Sequence, residues 1–352
     1  MYFDLTDEQK QLRDQLNSLL SDRCSPIQAL ARFNQPEAFD PALWSSLMEM
    51  GLGAILAPED KGGLGMGLLT LAVVAESLGH YAAPGPVVAN AIAAWLLAEV
   101  GGHDETVGKL VSGEQIAAFA LSAETGWRPE NWTVDAAGNG EVRSVESGDK
   151  ADVFIVGVAG GGLALARRGD AGVTVEAVDT VDRTRPIARL RLEGAKLEPL
   201  TQDAALVERL WDALSIVTAA DARGAAKRAM TMAVEYANQR VQFNRPIGQF
   251  QGLKYQLAEM AMQVEPAQPL VWYAAHTWDA MPAQTPRAAA LAKSHVTDLA
   301  VSVGRACVEA HGGIGYTWEY PLHLWLKRAM HDRVMYAAPS THRERAAVLA
   351  GW

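Results

Sequence analysis

Leu5, Leu12, Leu16, Leu19 and Leu20 recur at helical spacing behind Thr6-Asp7, which predicts an amphipathic helix capped by Thr6 or Asp7. The same period returns over residues 41–50, 68–78, 87–100 and 105–111, so an N-terminal helical domain is expected over 1–115. A glycine-dense turn, Pro58-Glu59-Asp60-Lys61-Gly62-Gly63-Leu64-Gly65, interrupts it. After Gly113 the pattern shortens. Segments 116–121, 152–158, 162–167, 173–178 and 188–192 are β-branched or alternating and are divided by Gly, Asn and Asp, which predicts a central β-barrel-like domain over 116–202. Helical periodicity resumes in alanine-rich stretches at 203–241, 252–281, 286–310 and 321–336, predicting a C-terminal four-helix bundle over 203–352. The first of these would run about 60 Å at about 1.5 Å per residue. Pro266 and Pro269 fall inside the second, where a kink or break is expected. The fold class is therefore α+β, mainly α.

Composition narrows the function classes. The formal net charge of −10 over 352 residues argues against general nucleic-acid binding, which needs a basic footprint. Local arginines and backbone amides can still hold a phosphate within an acidic chain. Only Cys24 and Cys307 are present, neither in a metal-ligand spacing, so a reduced, cytoplasmic setting and no metal site are expected. The acidic N-terminus does not read as a secretory signal, and apolar runs such as 92–97 are too short to span a bilayer, so a soluble protein is expected.

Three stretches carry a resemblance. The first is Gly51-Leu52-Gly53-Ala54-Ile55-Leu56-Ala57-Pro58 running into the glycine turn, followed by Val74-Ala75-Glu76-Ser77-Leu78-Gly79. The second is Tyr236-Ala237-Asn238-Gln239-Arg240-Val241-Gln242-Phe243-Asn244-Arg245-Pro246-Ile247-Gly248-Gln249-Phe250-Gln251. The third is Glu309-Ala310-His311-Gly312-Gly313-Ile314-Gly315-Tyr316-Thr317-Trp318-Glu319-Tyr320-Pro321. In order and spacing they resemble the acyl-CoA dehydrogenases over essentially the whole chain. The likeness is nearest to short, degenerate members that pair with a fuller second subunit. It implies FAD-dependent α,β-desaturation of an acyl-CoA thioester, subunits paired through the bundle as a dimer of dimers, and electron-transfer flavoprotein as electron acceptor.

By that resemblance, Arg240, Gln242, Phe243, Phe250 and Gln251, together with Glu309, Gly312 and Gly313, contact the diphosphate and adenosine end of an FAD held by a neighbouring subunit. A guanidinium suits diphosphate because it can donate two parallel charge-assisted hydrogen bonds. Taken singly, Arg240 reads as a solvated helix-end arginine and Gly312-Gly313 as a helix C-cap; in register, they read as a nucleotide grip. Two positions depart from the family pattern: Glu309 stands for a glutamine and Asn244 for a glycine. In the middle domain, Ser122 keeps a hydroxyl at the flavin loop, but the remainder of 121–127 and the stretch Arg143-Ser144-Val145-Glu146 do not match.

The base positions are also altered. A carboxylate must take the α-proton of the substrate, its pKa raised by burial. The position after the last bundle helix holds Pro339, and the position early in the first bundle helix holds Leu214, followed by Ser215. Asp212 and Asp221 are the nearest substitutes, although solvated helix carboxylates are the commoner case; His311 and His342 are further candidates. The reading is a heteromer subunit that completes FAD sites without supplying the base. The alternatives are a homo-oligomeric dehydrogenase with an atypical base and a cofactor-free acyl-CoA-binding or assembly protein.

Overall fold

The computed structural model describes residues 4–35, 39–121 and 128–352. Among the described residues, six α-helices come first: α1 (Asp7–Arg23), α2 (Pro26–Phe33), α3 (Pro41–Glu49), α4 (Gly67–His80), α5 (Val87–Val100) and α6 (Asp104–Ser112). Seven strands follow: β1 (Ala117–Ala120), β2 (Gly140–Glu146), β3 (Val153–Val158), β4 (Gly162–Arg167), β5 (Val173–Val178), β6 (Ile187–Leu192) and β7 (Glu198–Thr201). The long helix α7 (Ala204–Gln239) leads into a two-stranded hairpin, β8 (Val241–Gln242) and β9 (Arg245–Pro246). Helices α8 (Gln251–Ala280), α9 (Thr285–His311), α10 (His323–Val334) and α11 (Pro339–Leu349) complete the chain.

Packing groups these elements into two compact units, one of residues 1–38, 72–83 and 215–352, the other of 39–71 and 84–214. In the second unit, β1, β3, β4 and β7 form a sheet in that order, β1 and β3 running parallel with Ala117 opposite Val153. A separate antiparallel sheet has the order β2-β6-β5. The helical layer is pinned to the first sheet by Asn90 of α5, which is completely buried. Its amide donates to the Leu110 carbonyl at 2.7 Å and accepts from the Ala117 N–H at 2.8 Å. Burying that amide is tolerable only because its hydrogen bonds are met.

In the first unit, Thr6 and Gln9 cap α1 reciprocally, and Leu16 and Leu20 point into the core. The α4 and α7 backbones cross at a pair of glycines. A Cβ on Gly79 would lie 2.1 Å from the Asp221 carbonyl oxygen, and one on Gly224 would lie 2.0 Å from that of Glu76. Only glycine lets the helices approach so closely. At this crossing Arg223 bonds the Glu76 carboxylate, which also accepts from Gln268 at 3.2 Å.

Helix α8 corrects part of one expectation, the break at its prolines. It runs from Gln251 to Ala280 with Pro266 and Pro269 inside it, and there is no break. Met262, Glu265, Pro266 and Pro269 are all exposed, so water can satisfy the carbonyls that the prolines leave without a donor. Helices α2 and α11 and strands β2 and β7 were not anticipated as separate elements. No helix among the described residues is long and apolar enough to cross a membrane.

Candidate cofactor and acyl site

Arg240 lies just past the end of α7, its N–H capping the Tyr236 carbonyl at 2.8 Å, and it opens directly into the β8–β9 hairpin. Gln242 pairs with Arg245 across a two-residue turn in which Phe243 has φ 51° and Asn244 φ 62°. Two consecutive positive φ values mark the primed turn that suits tight hairpins, and asparagine is the residue besides glycine that best accepts this conformation. The replacement at Asn244 therefore preserves the turn. Phe243 is 86% exposed, and its ring meets Phe250 edge-on at 6.0 Å. The Arg245 guanidinium lies 4.0 Å over the Phe250 ring. Arg240, Gln242 and Gln251 are exposed as well.

The second motif closes α9. Gly312 adopts φ 65° and ψ −145°, a conformation nearly closed to other residues, and its N–H caps the Glu309 carbonyl. Gly313 has no such backbone demand, and a Cβ there would meet nothing within 4 Å. His311 is buried beside them. It contacts the Cys307 carbonyl through Nδ1 at 2.7 Å, which assigns the proton to Nδ1 and leaves Nε2 to accept from the Tyr320 hydroxyl at 3.1 Å. Burial lowers its pKa. Its ring stacks on Tyr236 with centroids 4.6 Å apart and planes 25° from parallel. The fold thus brings together two motifs that are far apart in sequence. Glu309 faces a cleft of about 560 Å³ between α9 and α10 that is also lined by Asp298, Ser302, Arg305 and Arg333. That cleft therefore carries two arginines and one further acid besides Glu309.

At the base positions no acid appears. Pro339 is the buried first residue of α11, and Leu214 is 1% exposed. Asp221 and Asp212 are not solvated, correcting the simple expectation: both are buried. Asp221 is held by Arg328, with Nε 2.7 Å from Oδ1 and Nη2 2.7 Å from Oδ2. His342 is fully buried, its Nε2 2.9 Å from the Tyr336 carbonyl. Tyr336 and Ala337 have φ 53° and 88°, and the wholly buried Lys293 donates to the Asp332 carbonyl at 2.8 Å and the Ala337 carbonyl at 3.3 Å. Burial pushes the Lys293 ammonium down to about 7. Sequence reading missed Lys293; the signal was a charge directly after the apolar run 288–292. Ser122 lies outside the described residues, and Arg143–Glu146 belong to β2, paired with β6. No group of three His, Cys, Asp or Glu residues suited to a metal occurs among the described residues.

Residues 6–114 match the profile of the acyl-CoA dehydrogenase N-terminal domain, and residues 212–337 match that of the C-terminal domain. Acyl-CoA dehydrogenase IpdE2 of Mycobacterium tuberculosis is 32% identical over 335 residues, covering 95% of this chain and 94% of that protein. The chain belongs to the acyl-CoA dehydrogenase family. It is therefore a member of an oxidoreductase family.

Among solved structures, a chain of the ChsE4–ChsE5 complex from Mycobacterium tuberculosis is 27% identical, with a TM-score of 0.90. The superposition covers 100% of this chain and 99% of that one. The Tcur3481–Tcur3483 steroid ACAD is 25% identical with a TM-score of 0.89, covering 98% of each chain. FAD, the cofactor the family implies, fits the residues present. Arg240 is an exposed cation at a helix end, and the open face of Gly313 lets backbone approach a diphosphate, a freedom the chain itself does not require there.

Proposed function

We propose that this chain is a subunit of a heteromeric, FAD-dependent acyl-CoA dehydrogenase, completing the nucleotide end of FAD in a second subunit that supplies the base. One contrast carries the reading. The grip formed by Arg240, Phe243, Gly312 and Gly313 is presented outward, whereas both base positions, Leu214 and Pro339, are apolar and buried. An exposed phenylalanine in a strained turn is expected where another surface covers it.

Within this reading Arg240 donates to diphosphate oxygens, the Phe243 ring packs against the cofactor, and the Gly312-Gly313 backbone admits it closely. Gln242, Phe250, Gln251 and Glu309 border the same grip, and Ser122 would add a hydroxyl contact to flavin. When bound, FAD accepts the hydride leaving the β-carbon of the acyl thioester. Three of the four candidate substitutes for a base are engaged elsewhere: Asp221 by Arg328, His311 by Tyr320 and His342 at the Tyr336 carbonyl. Likeness to a steroid enzyme and to a two-protein complex supports a bulky acyl-CoA substrate and a dehydrogenase partner. Electron-transfer flavoprotein is the electron acceptor in keeping with the family.

The test is the visible spectrum of the chain purified alone and with its co-expressed partner. Flavin absorption is expected only in the complex. A yellow chain that alone reduces a dye with acyl-CoA favours the homo-oligomeric alternative. A colourless complex favours the cofactor-free one.

A further inference from the structure

The two stretches that form the grip follow different helices, α7 and α9, and what joins them is a set of three rings. Tyr236 lies one turn before Arg240, and the Arg240 N–H bonds its carbonyl, so any shift of Tyr236 carries the hairpin base with it. His311 is the last residue of α9 and the immediate neighbour of Gly312. Tyr320 follows the glycine turn. The rings of Tyr236 and His311 stack at 4.6 Å, those of His311 and Tyr320 lie 5.0 Å apart, and those of Tyr236 and Tyr320 meet edge-on at 6.3 Å.

The hydrogen bonds of His311 give this cluster direction. Nδ1–H is anchored on the Cys307 carbonyl of its own helix, and Nε2 accepts from the Tyr320 hydroxyl. The second bond closes a loop around Gly312 and Gly313, so the turn is fastened at both ends. Gly312 and Gly313 bring no side chain to this fastening, and a Cβ at either position would meet nothing within 4 Å. The imidazole is buried, which makes its two hydrogen bonds obligatory and its orientation fixed.

We propose that Tyr236, His311 and Tyr320 are positioning residues that hold the Arg240 hairpin and the Gly312-Gly313 turn at one separation, so that a single diphosphate ester is gripped by both. This rests on the reading above that the two motifs act together on FAD. The stack touches no reacting atom; it acts through Arg240 and the glycine backbone. A grip built from two independently mobile pieces would lose the benefit of preorganisation on each encounter.

The experiment uses the complete complex with its partner subunit, stripped of flavin and titrated with FAD, and compares the FAD Kd with the urea midpoint. Tyr320→Phe removes one hydroxyl and is expected to weaken FAD by roughly tenfold, the size of one hydrogen bond. Tyr236→Leu is expected to weaken it at least as much, and Tyr236→Phe, which keeps the ring, to restore native affinity. Combined with Arg240→Ala, Tyr236→Leu is expected to add little, because its effect passes through Arg240. Native FAD affinity in both Tyr320→Phe and Tyr236→Leu, with Arg240→Ala weakened, overturns the positioning role and leaves the FAD grip standing. Affinity losses that only track the urea midpoint also overturn it. If Arg240→Ala leaves FAD affinity unchanged, the grip itself fails and the positioning role with it. Should Tyr236→Leu not fold, the Tyr320→Phe comparison decides alone.

Discussion

Arg328 grips Asp221 through two side-by-side contacts, Nε to Oδ1 and Nη2 to Oδ2, each 2.7 Å, with the guanidinium wholly buried. The remaining nitrogen donates to the Ala83 carbonyl at 2.9 Å. A carboxylate bound in this way is stabilised as the anion and has its lone pairs committed, which suits a structural tie and not proton abstraction.

Breaking that tie from one side leaves a buried charge. Asp221→Asn is expected to destabilise the fold by about 3–5 kcal/mol, whereas replacing both partners with Asp221→Leu and Arg328→Met is expected to recover most of it. Urea unfolding measures the first effect. Turnover of the double variant in the complex should stay within a few-fold of native; a loss of several orders of magnitude would identify Asp221 as the base after all.

His80 sets an acid limit. Its pKa is lowered to about 4 by burial, then by Arg228, Arg223 and Lys227. The unfolded chain takes up a proton near 6.5, before the native state does, so stability is complete above that value and declines as pH falls towards 4. Between pH 7 and pH 5 this group should remove about 2 kcal/mol. His80→Phe should flatten that limb of the urea-midpoint profile, and an unchanged slope would rule His80 out as its source.

Lys293 works on the alkaline side. Burial depresses its folded pKa to about 7 while the unfolded chain titrates at 10.5, so stability rises with pH across that interval. The gain from pH 7 to pH 8.5 should be about 1.5 kcal/mol. Lys293→Met should abolish the rise. It should also cost about 2 kcal/mol or more, because two buried carbonyls lose their donor.

Asn244 reports on the hairpin. Asn244→Gly should retain flavin in the complex, since both residues accept positive φ. Asn244→Val should cost about 1–2 kcal/mol of local strain and release flavin on gel filtration. Equal retention by the two variants would show that the turn conformation does not matter to the grip.

Much of the fold was legible because its boundaries are chemical. Strands β4 and β5 start where glycines and Asp170 interrupt apolar runs, and α6 stops at Gly113, whose φ is 77°. The prolines of α8 do not end the helix, because their effect depends on which side of the helix faces water, which lies in tertiary packing. The carboxylates of α7 misled for a related reason: Asp221 stands among Ala219, Ala220, Ala222, Ala225 and Ala226, all buried. A helix apolar on nearly every face must pair any charge it carries, but the partner, Arg328, is more than a hundred residues away. The motifs of the grip could be read one by one. That Tyr236 stacks on His311 could not, since periodicity carries no information about contacts between distant elements.

The most direct test of the division of labour uses a complex in which this chain is native and the partner subunit's carboxylate base is changed to its amide. Acyl-CoA is then added anaerobically while flavin absorption is followed. The expected result is a flavin that stays oxidised, because in the proposed division of labour the base belongs to the partner subunit. Bleaching at the native rate would contradict that, and would place a working base among the residues of this chain.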